Sequence, residues 1–183
     1  MTFLKFLLKQ QVHHYETVRQ GASFDLVQST RLNLLLIVLL LFLATACTSK
    51  EVFSEFHSFS ESVWTRSEKV NFEVSIPDST QQYDVFLEIR NNNNYPFRNL
   101  WLFVDITTPD GKQRKDTVNA ELADVYGKWH GKGISLYSFS FAYESNIQYP
   151  DTGTYTYSVA QGMRIDSLNG ISDIGLTVLK KTN

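Results

Sequence analysis

Leu100-Trp101-Leu102-Phe103-Val104-Asp105-Ile106 alternates strictly and is closed by Pro109-Asp110-Gly111. Leu100, Leu102, Val104 and Ile106 fall on one face, with Trp101 and Phe103 on the other. A period of two with a Pro-Asp-Gly stop predicts a β-strand running into a tight turn. The same pattern recurs on both sides. Val70, Phe72, Val74 and Ile76 share a face until Pro77-Asp78; Tyr83, Val85, Leu87 and Ile89 share the next, with Glu88 and Arg90 opposite. Asn91 to Asn94 is a turn, because Asn tolerates left-handed backbone angles and its side chain bonds the local backbone. Gln113 to Val118 is placed to pair back across Asp110-Gly111 as a hairpin. Further on, Tyr137, Phe139, Phe141 and Tyr143 alternate with mostly small residues. Pro150-Asp151-Thr152-Gly153 turns the chain, Tyr155, Tyr157 and Val159 follow, and Ile174, Leu176 and Val178 close it. No long stretch has helical period. The expectation is an all-β protein, a single antiparallel β-sandwich of about seven to eight strands.

The N-terminal part has a different character. Arg31 precedes an unbroken apolar run from Leu34 to Leu43, then Ala44-Thr45-Ala46 and Cys47, the only cysteine. A cation, a short greasy core and small residues before a cleavage point make a secretory signal. Leu34 to Ala46 is 13 residues, short of the roughly 20 a membrane-crossing helix needs. An uncleaved anchor and a buried core helix are the blander alternatives, and Ala44 stands where such signals usually carry Leu. The predicted organisation is residues 1–46 as N-terminal extension and lipoprotein signal peptide, removed on export. Residues 47–58 follow as a lipidated tether and 59–183 as the sandwich. Val52 to Phe59 reads equally as a strand or a helical turn. Cys47 is the expected lipidation site, a palmitate-type acyl anchor, and Leu26 or Val27 is a candidate alternative translation start.

Removing the four Lys/Arg and two Asp/Glu of residues 1–46 from the chain's 17 and 19 leaves 13 basic and 17 acidic side chains. A mildly acidic domain lacks the basic stripe that nucleic acid requires, so no nucleic-acid partner is expected. With Cys47 acylated there is no thiol for a disulfide or a thiolate metal site. His57 and His130 have no ligand partner at useful spacing, so no metal and no cofactor are expected. Gly127-Lys128-Trp129-His130-Gly131-Lys132-Gly133 invites a phosphate-loop reading, but only three residues separate Gly127 from Gly131, and strand pattern follows instead of a helix. Asp105, Asp110, Asp116, Glu121 and Asp124 are scattered, and no serine sits in a Gly-x-Ser-x-Gly setting. No enzyme is expected.

Two kinds of site remain. Trp101 and Phe103 form an exposed patch for a partner if their strand is covered on one side only, and Trp129 marks a loop that is a second contact candidate. Aromatic residues are common in strands, so plain packing is the competing explanation. The alternative use of Trp64, Trp101 and Trp129 is sugar stacking, as in a carbohydrate-binding module on a surface lipoprotein. Asp78-Ser79-Thr80, Asp116-Thr117-Val118 and Asp166-Ser167-Leu168 resemble an O-glycosylation acceptor of exported bacterial proteins, making Ser79, Thr117 and Ser167 candidates. Ordinary turn chemistry explains such tripeptides equally well.

Three stretches taken together carry a family resemblance. They are Leu87-Glu88-Ile89-Arg90-Asn91-Asn92-Asn93-Asn94-Tyr95-Pro96-Phe97-Arg98-Asn99-Leu100, the loop Gly127 to Gly133, and Gln161-Gly162-Met163-Arg164 leading to Leu168-Asn169-Gly170-Ile171-Ser172-Asp173-Ile174-Gly175. With a lipoprotein cysteine ahead of them, the chain resembles the gliding-motility lipoprotein GldH family over most of Cys47 to Lys181. The resemblance implies a cell-envelope lipoprotein, held by acyl chains on Cys47 and supporting gliding through contacts with other envelope or gliding-machinery proteins. Relatives also occur in bacteria that do not glide. The outer membrane is the expected layer, on its periplasmic or surface side. The resemblance brings no catalytic residue; Cys47 is the one position it carries over.

Overall fold

The structure, a computed structural model, describes residues 50–181. Ten strands follow in order: β1 Glu51–Ser58, β2 Val63–Thr65, β3 Lys69–Ile76, β4 Gln82–Asn92, β5 Asn99–Thr107, β6 Gln113–Glu121, β7 Leu136–Gln148, β8 Gly153–Gln161, β9 Ser167–Asn169 and β10 Ile171–Lys180. A 3-10 turn at Ser60–Ser62 separates β1 from β2. All pairings are antiparallel. One sheet has the order β1-β10-β4-β7, the other β3-β8-β5-β6, and β2-β9 forms a small two-stranded sheet.

The strands read from alternation fall where expected. Along β3 to β5 every second residue is buried and its neighbours face outward. Leu100, Leu102 and Val104 are fully enclosed, as are Val85, Leu87 and Ile89 across the sandwich and Ile174, Leu176 and Val178 beside them. At about 25 cal/mol per Å² of apolar surface removed from water, these interleaved faces are the main source of stability. The β5–β6 hairpin closes across Asp110-Gly111 with Thr107 opposite Gln113.

Ten strands exceed the expected seven to eight by two or three, and the first moves a boundary. Glu51–Ser58 pairs along its length with β10, so the sandwich begins at residue 51, not 59, and the expected 47–58 tether loses most of its length. The sequence leaves β1 open between strand and helical turn because it is an edge strand with mostly exposed side chains and an irregular register between Glu51 and Phe53. An edge is held by backbone pairing and needs no apolar alternation. β2 and β9 were not expected either. They close one end of the core, with buried Trp64 opposite buried Leu168 and its ring stacked on Phe59 at 4.7 Å. The Trp64 indole N–H donates to the Glu68 carbonyl at 3.0 Å. Among the described residues no buried side-chain nitrogen or oxygen lacks a partner.

The registers define two ends. Glu51 lies opposite Leu179, Lys180 opposite Tyr83, Gln82 opposite Gln148, and Ile76 opposite Gly153. The start of β1 therefore shares one end, the base, with the turns at 77–81, 108–112 and 149–152. The 93–98 turn, the 122–135 loop and the 162–166 crossing lie at the other end, the apex.

Candidate functional site

β5 is central in its sheet, flanked by β8 and β6. Its outward side chains are nevertheless open, because no further layer among the described residues covers that face: Trp101 is 42% and Phe103 47% exposed. Phe103 sits opposite Ala160 of β8. After β8 the chain crosses the β5 face at Gly162, where an added Cβ would stand 3.2 Å from the Phe103 ring and 3.3 Å from the Trp101 Cβ. The crossing is fixed by hydrogen bonds. The Gly162 amide donates to the Trp101 carbonyl at 2.7 Å, and the Trp101 amide to Met163 Sδ at 3.4 Å. The Met163 amide donates to Gln161 Oε1 at 2.8 Å, and Gln161 Nε2 to the Ile165 carbonyl at 3.0 Å.

Between this crossing and the start of β5 lies a groove of about 520 Å³, lined by Phe97, Asn99, Trp101, Gly162, Met163, Arg164 and Ile165. Its wall is aromatic and aliphatic, with one guanidinium and one amide. The Asn99 amide already donates to Asn119 Oδ1 at 2.6 Å. The lining has no carboxylate, imidazole, hydroxyl or thiol, so the groove is equipped to bind and carries no acid–base pair or nucleophile.

From the groove a row of aromatic rings runs to the glycine-rich loop. Phe97 meets Tyr95 edge-on at 5.8 Å, Tyr95 meets Trp129 at 6.3 Å, and Trp129 meets Tyr137 at 5.9 Å. Trp129 is half-buried against the core, so it props the loop up and does not join Trp101. The loop's outward residues are others: Tyr126 is 93% and Ile134 92% exposed, with Val125 and Leu136 also open. Asp124 sets this geometry. Its carboxylate accepts the Lys128 and Tyr126 amides, each at 2.9 Å, which hold its carboxyl below the ordinary range. Alternation could not locate Tyr126 and Ile134, since the loop has none. The readable signal was Asp124 followed by Gly127, a tight turn whose middle residues must point away from the sheet.

The remaining candidates are dispersed. Ser79 is half-buried in a basal turn, where Asp78 caps the Thr80 amide at 2.9 Å. Thr117 is exposed in β6 opposite Phe103, and Ser167 is exposed at the start of β9. Cys47 lies outside the described residues. No helix among the described residues is long and apolar enough to cross a membrane, and no group of three or more His, Cys, Asp or Glu among them is placed to hold a metal.

The model of the GldH lipoprotein family matches residues 51–178, from the first residue of β1 to near the end of β10. The chain belongs to the GldH lipoprotein family. Two curated relatives agree. A gliding motility lipoprotein GldH homolog of Christiangramia forsetii is 36% identical over 149 residues, covering 77% of this chain and 91% of the relative. The gliding motility lipoprotein GldH of Flavobacterium johnsoniae is 34% identical over 156 residues, covering 81% and 94%. Membership of the GldH family places the chain among membrane-anchored lipoproteins of the cell envelope. Among solved structures, the TmCBM61 module in complex with β-1,4-galactotriose aligns over 71% of this chain and 88% of that one. Its TM-score is 0.31 at 11% identity, too low to carry a ligand assignment.

Proposed function

We propose that this GldH-family protein is a non-enzymatic docking component of the envelope, anchored by acyl chains on Cys47 after its signal peptide is removed. It engages other envelope proteins through the Trp101–Phe103 face and the adjoining groove. The observation that carries this is the pair of exposed aromatic rings on the central strand of an uncovered sheet, beside a groove without reactive groups. Aromatic side chains in a partly enclosed setting are the usual anchors of protein interfaces. Two or three acyl chains hold a protein stably at a membrane where one is marginal, and confinement to that plane raises the effective concentration for docking. The outer membrane is the proposed layer. Exposed Thr117 and Ser167 are the more accessible of the three proposed glycan acceptors.

The test pairs two variants of the full chain. Cys47→Ala should release the protein from the membrane fraction. Trp101→Ser with Phe103→Ser should cost about 2–3 kcal/mol, since each ring is about half buried, keep a cooperative unfolding transition, and abolish the crosslinks the intact protein forms with its neighbours in living cells. Unchanged crosslinks in the double variant reject the docking face. Retention of binding to an immobilised β-glycan panel by the intact chain alone would favour the carbohydrate-binding alternative.

A further inference from the structure

We infer that the base of the sandwich rests on the lipid headgroup layer that carries the acyl chains, so that the Trp101 groove and the 122–135 loop are held outward. The inference rests on the Cys47 anchor proposed above.

The argument starts from the length of chain left over. β1 begins at Glu51, so only residues 48–50 separate it from Cys47. The Lys50 carbonyl already accepts the Lys180 amide at 2.7 Å, which ties the last of these three to β10. A fully extended chain gains at most about 3.6 Å per residue, so Cys47 and Glu51 stand within about 14 Å. β4 runs through 11 residues, roughly 35 Å at strand rise. The leash is thus much shorter than the body it holds, and it is attached at the base.

The surface chemistry is divided in the same direction. Among the described residues the exposed large apolar side chains are Phe56, Trp101, Phe103, Val125, Tyr126, Ile134 and Leu136. By register all of them lie from mid-strand to the apex, and the basal turns carry none. The base presents Lys50, Lys112, Lys180 and Lys181 together with Glu51, Asp78, Asp110 and Asp151, and Lys112 pairs with Asp110 at 2.8 Å. A polar rim of interspersed ammonium and carboxylate groups suits a zwitterionic headgroup layer, which carries both charges, whereas an apolar apex turned outward is free to meet a protein.

Acylation of Cys47 leaves no free thiol, so one introduced cysteine can carry a fluorophore without ambiguity. Lys112→Cys labels the base and Tyr126→Cys the apex, in the acylated chain reconstituted into vesicles of phosphatidylethanolamine and phosphatidylglycerol. Quenching by a headgroup nitroxide lipid should be at least about threefold stronger for the basal label, given the leash and strand lengths above. Inserting about 20 Gly/Ser residues after Ser49, with a mean span of roughly 25 Å, should bring the two labels toward equal quenching. Equal or reversed quenching in the short-leash protein overturns the orientation. A difference that survives the insertion overturns the leash as its cause. A chain that does not float with the vesicles overturns the anchor itself, and with it the orientation.

Discussion

Tyr149 and Tyr157 join their hydroxyls at 2.7 Å inside the sandwich, and both side chains are buried. Burial pushes the Tyr149 phenol up to about 12 and raises Tyr157 as well, so the folded protein keeps both neutral. The unfolded phenols ionise near pH 10, and above that pH the unfolded chain holds fewer protons than the folded one. The pair's contribution to stability is therefore fully present below about pH 10 and lost as the solution becomes more alkaline. Tyr157→Phe leaves the Tyr149 hydroxyl buried without this partner and should cost about 1–3 kcal/mol, whereas replacing both tyrosines by Phe should be nearly neutral. A double-mutant cycle by urea denaturation checks this; additive losses would show that the two hydroxyls do not depend on each other. Two glycines carry comparable constraints. At Gly170, with φ +89°, a Cβ would meet the Tyr95 amide nitrogen at 2.2 Å, and at Gly175 it would press into the Phe56 ring at 2.7 Å. The Phe56 ring is in turn covered by Arg90, 4.0 Å from its centroid. Tyr155 and Tyr157 were legible as one face of a strand. Gly175 was not legible as a seat for Phe56, because that contact depends on which strand lies beside β10.

At the scale of the element, the edges of the two main sheets are joined on one side by a polar cluster. Arg114 of β6 reaches Glu144 of β7 at 2.5 Å and Asp116 at 3.0 Å, and donates to the Tyr143 hydroxyl at 3.2 Å. The Tyr143 hydroxyl also donates to Asp116. Arg114 is half exposed, so solvent screens the cluster. Arg114→Met should cost no more than about 1 kcal/mol while speeding amide exchange along β6 and β7. Hydrogen-exchange mass spectrometry would detect this, and unchanged exchange would show that the edges hold without it. Legibility follows burial element by element. β3, β4, β5 and β8 were readable because one face is in the core and the next residue is not. β1 was ambiguous and β2 and β9 were invisible, since edge pairing and three-residue bridges leave no period. For the candidate site, Trp101 and Phe103 were readable as a conditional, since alternation fixes which face they occupy and tertiary structure decides whether that face is covered. Trp129 is partly buried against the core, whereas Ile134 and the turn-borne Tyr126 stand outside, and no alternation in the loop distinguishes them.

For the molecule as a whole, the leader and Cys47 are read from the sequence alone and lie outside the described residues, whereas the end of the sandwich at which the chain enters is fixed by the register of β1. The same register has another effect. β10 lies between β1 and β4, so the first strand's partner is the last. A chain ending at Gly170 would leave both β1 and β4 without their shared neighbour. It should show no cooperative thermal transition by circular dichroism and should be digested rapidly by trypsin; a sharp transition would mean that the remaining strands suffice. The proposed signal peptide would deliver the polypeptide to a narrow conduit as an open thread. Because its opening strand is stitched only to its closing one, the sandwich would not be complete before nearly all of it had crossed.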